Sequence, residues 1–377
     1  MSPADAGAVE IDKPARMRLD NLTLSRKEGW RTFAEAPDRV QPERLTLRKI
    51  KALDPVELEG YNGHRQVWHA NIGPLRTPQL DDLHQDLWDI VDSNAQDGDK
   101  AKGAAAVDAF PGLGKTTSAL AFGKKFHLRE IAAHGAFTEA GHERWPVCRI
   151  GLTGNTGMKD FNRAMMEFFG HPGTARGTAT QYAERALDLV LLCEVRLLII
   201  DDLHFLAWNK RNGAEVSNHF KYIANEFPLT LLFIGVNLDE RGVFSEGTSG
   251  EGAELAQLGR RTTPLTMAAF TLDSDKGRQE WRNILLAIEK RLVLARKWRG
   301  MLADDLSEYL FARSSGHIGS LMTLINRGCL RAVRTGEERL TKDLLDRVKL
   351  DAASEKARKG HEAALMSGRR TAKVVQR

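Results

Sequence analysis

Two short segments of this 377-residue chain bring together the residue types needed to hold a phosphate ester and a divalent cation. The first is Ala109–Thr117, AFPGLGKTT. Gly112 and Gly114 free the backbone between Pro111 and Thr117 to curl, so that the N–H groups around Leu113 can face phosphate oxygens. Lys115 supplies a cation for the β- and γ-phosphates, and Thr116 a hydroxyl for Mg²⁺. A helix opening near Thr116–Thr117 would turn its positive end toward the anion. The usual spacing of such a loop begins with glycine; here Ala109 stands there, which is tolerable if its φ stays negative.

The second segment is Leu197–Asp202, LLIIDD. Four apolar residues in a row point to a strand buried on both faces, and its tip releases two carboxylates. Asp201 is placed to hold Mg²⁺ through water, and Asp202 to polarise an attacking water. Glutamate more often fills the second role. Aspartate is one methylene shorter, so hydrolysis is expected to be slow or to need assembly. Together the two segments indicate binding of a nucleotide with Mg²⁺.

The elements around them alternate. Ala104–Val107 is a small apolar strand ahead of the loop, and Ser118–Phe122 continues the helix after it. Strands are expected at Pro146–Leu152 and Leu229–Asn237, with helices over Leu80–Val91, Met158–Phe169, Tyr182–Val195 and Ala214–Phe227. This β–α alternation predicts an α/β fold, a parallel sheet covered by helices on both faces. From Lys276 onward the pattern is all helical. Residues 1 to about 60 mix charges of both signs with proline and no sustained period, which suggests a loosely ordered arm. Ser245–Gly252 (SEGTSGEG) has neither lysine nor a helix signal after it and reads as a surface loop.

Composition is that of an ordinary globular protein, 42% hydrophobic and 28% charged. No apolar run approaches the ~18 residues of a membrane span, and the first residues carry no signal-peptide core, so a cytoplasmic protein without a membrane is expected. Cys148, Cys193 and Cys329 form no C-x-x-C pair and read as reduced packing residues. The histidines show no metal-ligand spacing, so Mg²⁺ is the one metal expected. Residues 352–377 hold seven Lys/Arg and two Glu, a surplus of five that equals the net charge of the whole chain. This tail either tracks phosphates or is a disordered solubilising end.

LLIIDDLHFL, the strand LTLLFIGVN and AQLGRR (Ala256–Arg261) resemble the core of an AAA+ P-loop ATPase. WHANIGPLRTPQLDDLH (Trp68–His84) and SSGHIGSLMTLINRGCLRAV (Ser314–Val333) narrow the resemblance to the TniB/TnsC-like ATPases of DNA transposition systems. The resemblance covers residues 60 to 350. It implies a nucleotide-binding core (76–270) and a small C-terminal all-helical lid (271–350); composition at the two ends adds an N-terminal arm and linker (1–75) and a basic, disordered tail (351–377). Asn237 would sense the γ-phosphate, or else is a strand-end turn residue. Arg261, or Arg260 beside it, would be an arginine finger reaching a neighbouring subunit's nucleotide; a solvated arginine pair is the other reading. The lid arginine often found as G-x-x-R is replaced, since Gly316-His317-Ile318-Gly319 ends in glycine. Trp68 and Tyr61 either stack on adenine or pack in the core, and His204 either hydrogen-bonds near the attacking water or packs beneath the adjoining loop.

The implied activity is ATP-dependent assembly of a homo-oligomer, ring or filament, on double-stranded DNA. That assembly would recruit a transposase and a target-selection adaptor protein. Thr156, Lys159 and Arg163, with Thr153 and Asn155, and the stretch Asn209–Asn212 are the DNA-backbone candidates; a helix cap and a solvated face explain them equally well. An ATP-gated signalling or defence NTPase and a helicase-loader or replication-initiator protein are the alternatives.

Overall fold

The run of apolar strands separated by amphipathic helices closes into one five-stranded sheet in the computed structural model, which describes residues 22–73, 75–95, 102–154, 156–206, 213–240 and 259–373. The strands are β1 (Ala104–Asp108), β2 (Val147–Gly151), β3 (Leu197–Asp201), β4 (Thr230–Gly235) and β5 (Thr262–Thr266). Their order is β2-β3-β4-β1-β5 and every ladder is parallel. β3 and β4 are buried at every position, which is why their sequences are unbroken apolar runs rather than alternating ones. The chain leaves β1 toward the β2 edge and returns to its other side as β5. The C-terminal tips of β1, β3 and β4 therefore gather at one edge, beside the point where the winding reverses.

Helices cover both faces. α4 (Pro78–Ser93) starts on Thr77, whose hydroxyl accepts the Leu80 N–H, and buries Leu83, Leu87 and Val91 from the expected stripe. α5 (Lys115–His134), α6 (Met158–Phe168), α7 (Ala179–Leu192) and α8 (Gly213–Glu226) complete the layers. Beyond β5 the chain is helical, as expected: α9 (Asp275–Arg291), α10 (Ser307–Ser314), α11 (Ile318–Thr335) and α12 (Lys342–Asp346) close around a second core that includes Trp281, Leu285, Leu310, Leu324 and Cys329.

Two expectations about the ends are corrected. The N-terminal segment is not loosely ordered where it is described. α1 (Lys27–Ala34) buries Trp30 and Ala34 in the sheet core against α5, and α2 (Leu47–Ala52) leads to α3 (Pro55–Ala70). α3 starts on a capping box between Asp54 and Glu57 and packs Trp68 into the helical unit beside α11. Its Arg65 is 1% exposed and meets Glu338, 3% exposed, at 2.7 Å. The mixed charges that hid this order are partners of charges far along the chain.

The basic tail is not disordered where it is described, through residue 373. α13 (Ala352–Met366) is capped by Asp351, lies on α10, and is held by ion pairs from Arg358 to Asp346 and Glu362 and from Arg313 to Glu355. Arg370 meets Asp273 at 3.3 Å. Acids outside the segment thus balance part of a surplus counted within it. Ser245–Gly252, Asn155 and Asn209–Asn212 lie outside the described residues. Among the described residues no helix is long and apolar enough to cross a membrane.

Candidate nucleotide-binding site

The loop that follows β1 takes its shape from two glycines. Gly112 has φ +81° and Gly114 φ +87°, left-handed conformations in which a side chain would be strained. Ala109 keeps a negative φ, is buried, and its N–H donates to the Gly235 carbonyl at 3.4 Å, so the missing first glycine costs nothing here. Pro111 and Thr117 are exposed, Leu113 is buried, and Lys115 and Thr116 are half-buried at the start of α5. Gly114 is the N-cap and brings no side chain to the first-turn N–H groups. Those groups and the helix dipole favour an anion at this end.

β3 brings Asp201 to the same place. Asp201 is 2% exposed, and its Oδ1 accepts both the Thr116 hydroxyl, at 3.2 Å, and the Asp202 N–H, at 3.0 Å. Its Oδ2 accepts Arg149 Nη2 from β2 at 2.7 Å. A hydroxyl facing a carboxylate beside a phosphate loop is an oxygen donor set that fits Mg²⁺. Among the described residues no three His, Cys, Asp or Glu cluster for a metal, so phosphate and water oxygens would have to complete the shell. Asp202 adopts φ 59° and ψ 41°, a left-handed conformation that aspartate tolerates better than most residues. This twist turns the chain out of the strand into Leu203–Phe205 and leaves Asp202 half-buried at the sheet edge.

Beside the loop lies a cavity of about 210 Å³, with Leu75, Leu80, Leu113, Phe270, Ile318 and Met322 in its wall and Thr77 and Gln79 as polar groups. An apolar slot next to a phosphate loop is suited to a planar base. Trp68 and Tyr61 are not among its lining residues. The Trp68 indole N–H donates to the Arg291 carbonyl within the helical core, and Tyr61 donates to the Glu43 carbonyl beneath the Arg65 guanidinium. Core packing is thus observed for Trp68, while Tyr61 is half-buried outside the core.

The helical unit touches the loop through main chain. The Gly319 N–H, in the first turn of α11, donates to the Gly112 carbonyl at 2.8 Å. A Cβ on Gly319 would sit 2.9 Å from that oxygen and 3.2 Å from the Gly112 Cα. The glycine that replaces the expected lid arginine therefore allows close docking; a side chain of any kind would hold the two apart.

The remaining candidates are spread out. Asn237 lies two residues beyond β4, with φ 53°, and its amide donates to Glu240 at 2.7 Å. The loop around it is anchored by Asp108, whose carboxylate accepts the Leu238 N–H at 2.9 Å. Arg260 and Arg261 are exposed just before β5, and the Arg261 guanidinium donates to Asn225 at 2.8 Å. The Arg261 carbonyl accepts the Ala104 N–H, so both arginines sit at the N-terminal edge of the sheet. Their own phosphate loop is a strand length away, roughly 15 Å.

Of the DNA candidates, Thr156 is buried, with its hydroxyl donating to Thr153 in the turn before α6, so it offers nothing to a phosphate. Arg163 is paired with Asp160 and Glu167, and Lys159 is exposed. The His204 ring packs on Phe205 with centroids 4.3 Å apart. Sequence reasoning passed over Arg149 and Asp108. For Arg149 a signal existed, a lone charge inside the strand VCRIG.

Comparison with known proteins bears on the fold. Residues 98–244 match a family model described as an AAA domain. Among solved structures, the chain is similar to the Aeropyrum pernix ORC1 protein in complex with DNA, at 17% identity and TM-score 0.51 over 80% of this chain and 70% of that one. It is similar to the ADP form of the Aeropyrum pernix ORC2 protein, at 14% identity and TM-score 0.52 over 78% and 71%. The Pyrobaculum aerophilum Cdc6p structure aligns at 13% identity and TM-score 0.50, over 71% and 65%. No curated protein matches. The fold is that of an AAA+ P-loop protein: a parallel sheet flanked by helices with a helical C-terminal region.

Proposed function

We propose, on the premise of an AAA+ P-loop fold, that this chain is an ATP-driven assembly factor that acts on double-stranded DNA in transposition. The observation that carries the nucleotide half of this reading is the Thr116 hydroxyl facing buried Asp201 at 3.2 Å beside the loop of Gly112–Lys115. Lys115 and the first-turn N–H groups of α5 hold the phosphates, and the apolar cavity at Leu75, Phe270 and Met322 takes the base. Thr116 and Asp201 would hold Mg²⁺, which when bound neutralises charge on the phosphate oxygens. Asp202 orients the water, and Asn237 would reach the γ-phosphate after releasing Glu240. Arg261, with Arg260 beside it, serves the nucleotide of a second copy, because it lies at the far edge from its own loop.

The DNA half rests on the resemblance of Trp68–His84 and Ser314–Val333 to the TniB/TnsC-like ATPases, with a transposase and a target-selection adaptor as partners. Strand transfer then belongs to the transposase. The replication-initiator reading is the alternative favoured by a specific observation, the fold similarity to an ORC1 protein described in complex with DNA.

Electron microscopy of the full chain with a non-hydrolysable ATP analogue, with and without double-stranded DNA, tests the proposal. Rings or filaments that need nucleotide, DNA and Lys115 support it. Assembly indifferent to DNA would point to a protein-directed switch, and Lys115→Ala binding nucleotide normally would refute the site. Target immunity or integration assays with a neighbouring transposase, against origin-DNA loading, separate the two DNA readings.

A further inference from the structure

One ion pair of the site has no part in the scheme above. Arg149, in the middle of β2, reaches across to the tip of β3 and donates Nη2 to Asp201 Oδ2 at 2.7 Å. The two oxygens of Asp201 are thereby divided. Oδ1 faces Thr116, where the metal would lie, and Oδ2 faces a guanidinium. From this we infer that Arg149 sets the metal affinity of the site: it is a built-in counter-cation for Asp201, against which Mg²⁺ must bind. The inference rests on the Mg²⁺–nucleotide reading of the loop.

Three observations support it. Asp201 is 2% exposed, so its charge needs a cation whenever the metal is absent, and Arg149 is the side chain in salt-bridge contact with it among the described residues. The contact uses one donor. A guanidinium that serves a carboxylate permanently tends to pair through two parallel bonds, yet here Arg149 Nε is buried with no hydrogen-bond partner among the described residues. An orphaned buried donor is a cost that reorientation would relieve, so the contact is one that can be surrendered. Space for the arginine comes from Gly151, where a Cβ would stand 3.2 Å from Arg149 Nη1.

The consequence is electrostatic. A unit positive charge about 6 Å from a divalent ion opposes it by about tenfold in affinity even at water-like screening. Were Asp201 to hold a metal on its Oδ1 side, Oδ2 would hold the guanidinium less strongly and Nε would gain freedom to find a partner. Nucleotide without metal would leave the pair intact, because among the described residues the ion pair of Arg149 is with Asp201 and not with a group of the phosphate loop.

The test measures binding of Mn²⁺, by its electron paramagnetic resonance, to the full-length protein saturated with a non-hydrolysable ATP analogue. Arg149→Gln is expected to bind Mn²⁺ about tenfold more tightly than wild type, while Arg149→Lys, which keeps the charge, stays within about threefold of it. Affinity for the analogue in the presence of a chelator is expected to change by less than about threefold in both. Equal or weaker Mn²⁺ binding by Arg149→Gln would overturn the inference. Wild type that binds the analogue but no Mn²⁺ would overturn the metal reading as well, and that outcome is distinguishable from the first. Should Arg149→Gln not fold, wild type carries the test. Its Arg149 Nε–H resonance, assigned by its absence in Arg149→Lys, is expected to shift when Mg²⁺ is added to the analogue complex; an unmoved resonance refutes the inference.

Discussion

Replacing Glu338 with glutamine removes one buried charge and little else, and so measures what fastens α3 to the helical unit. The Glu338 carboxylate accepts Arg65 Nη1 at 2.7 Å, Arg65 Nη2 at 2.9 Å and the Ala295 N–H at 2.9 Å. In the variant the guanidinium stays buried without its counter-charge. Breaking a buried pair by removing one partner costs about 3–5 kcal/mol. Arg65 keeps the Tyr61 ring at 4.5 Å, its bond to Asn62 and a long one to the Val293 carbonyl, which favours the lower end, about 3 kcal/mol. That is more than a hundredfold in the equilibrium for local opening. Hydrogen–deuterium exchange read by mass spectrometry should show that loss of protection over residues 59–70, with α5 as the internal reference. A change below about tenfold in α3, or one of equal size in α5, would refute the reasoning. Arg65→Met combined with Glu338→Leu should recover part of the protection, because an apolar pair replaces the buried ion pair at little cost while the Ala295 N–H loses its acceptor.

Other outcomes follow from the same geometry. Gly319→Val should weaken nucleotide binding at least about tenfold in a fluorescent-analogue titration, because main-chain atoms at 2.9 Å and 3.2 Å cannot yield to a side chain; unchanged affinity would mean that docking does not matter to the bound state. Arg261→Ala should leave nucleotide affinity of the isolated chain within about threefold and reduce turnover of the assembled protein by about a hundredfold or more; equal turnover in the assembly would exclude it as the donor in trans. Burial lowers the pKa of His69 to about 3 and that of His127 to about 4, so both stay neutral in the folded protein well below their ordinary 6.5. Between pH 6.5 and 4 the unfolded chain binds these protons and the folded one does not. Stability is therefore full above pH 6.5 and falls with acid, by up to about 1.4 kcal/mol per pH unit for each histidine. Urea unfolding at pH 7 and pH 5 checks the sign.

The glycine loop and the DD strand were legible as structure because each is a contiguous stretch whose shape is set by its own residues. Gly112 and Gly114 turn the chain within three residues, and Asp201 needs only the tip of a buried strand. The apolar cavity beside the loop was not legible, since Leu75, Leu113, Phe270 and Met322 come from four separate segments that meet only after folding. Trp68 shows the limit of residue type: an aromatic ring announces that it can stack, and the register of α3 decides that it packs on the helical unit instead. Charge counting failed at both ends for a related reason. Arg65 and Glu338 are 273 residues apart, and the acids that hold Arg358 and Arg370 include Asp346 and Asp273, outside the segment that looked basic.

The seam between Gly319 and Gly112 joins two main chains, with no side chain on either side of the bond. Contacts of that kind have an unusual mutational landscape. An ordinary interface can be loosened or tightened by degrees, one methylene at a time, and selection can walk along the gradient. Here the first carbon added on the Gly319 side already collides with backbone, so there is no graded series between full contact and loss of contact. Adjustment of how firmly the helical unit closes must then come from positions around the seam, such as Ile318, Phe270 or Met322. The seam itself would behave as a fixed stop against which those neighbours set the tension.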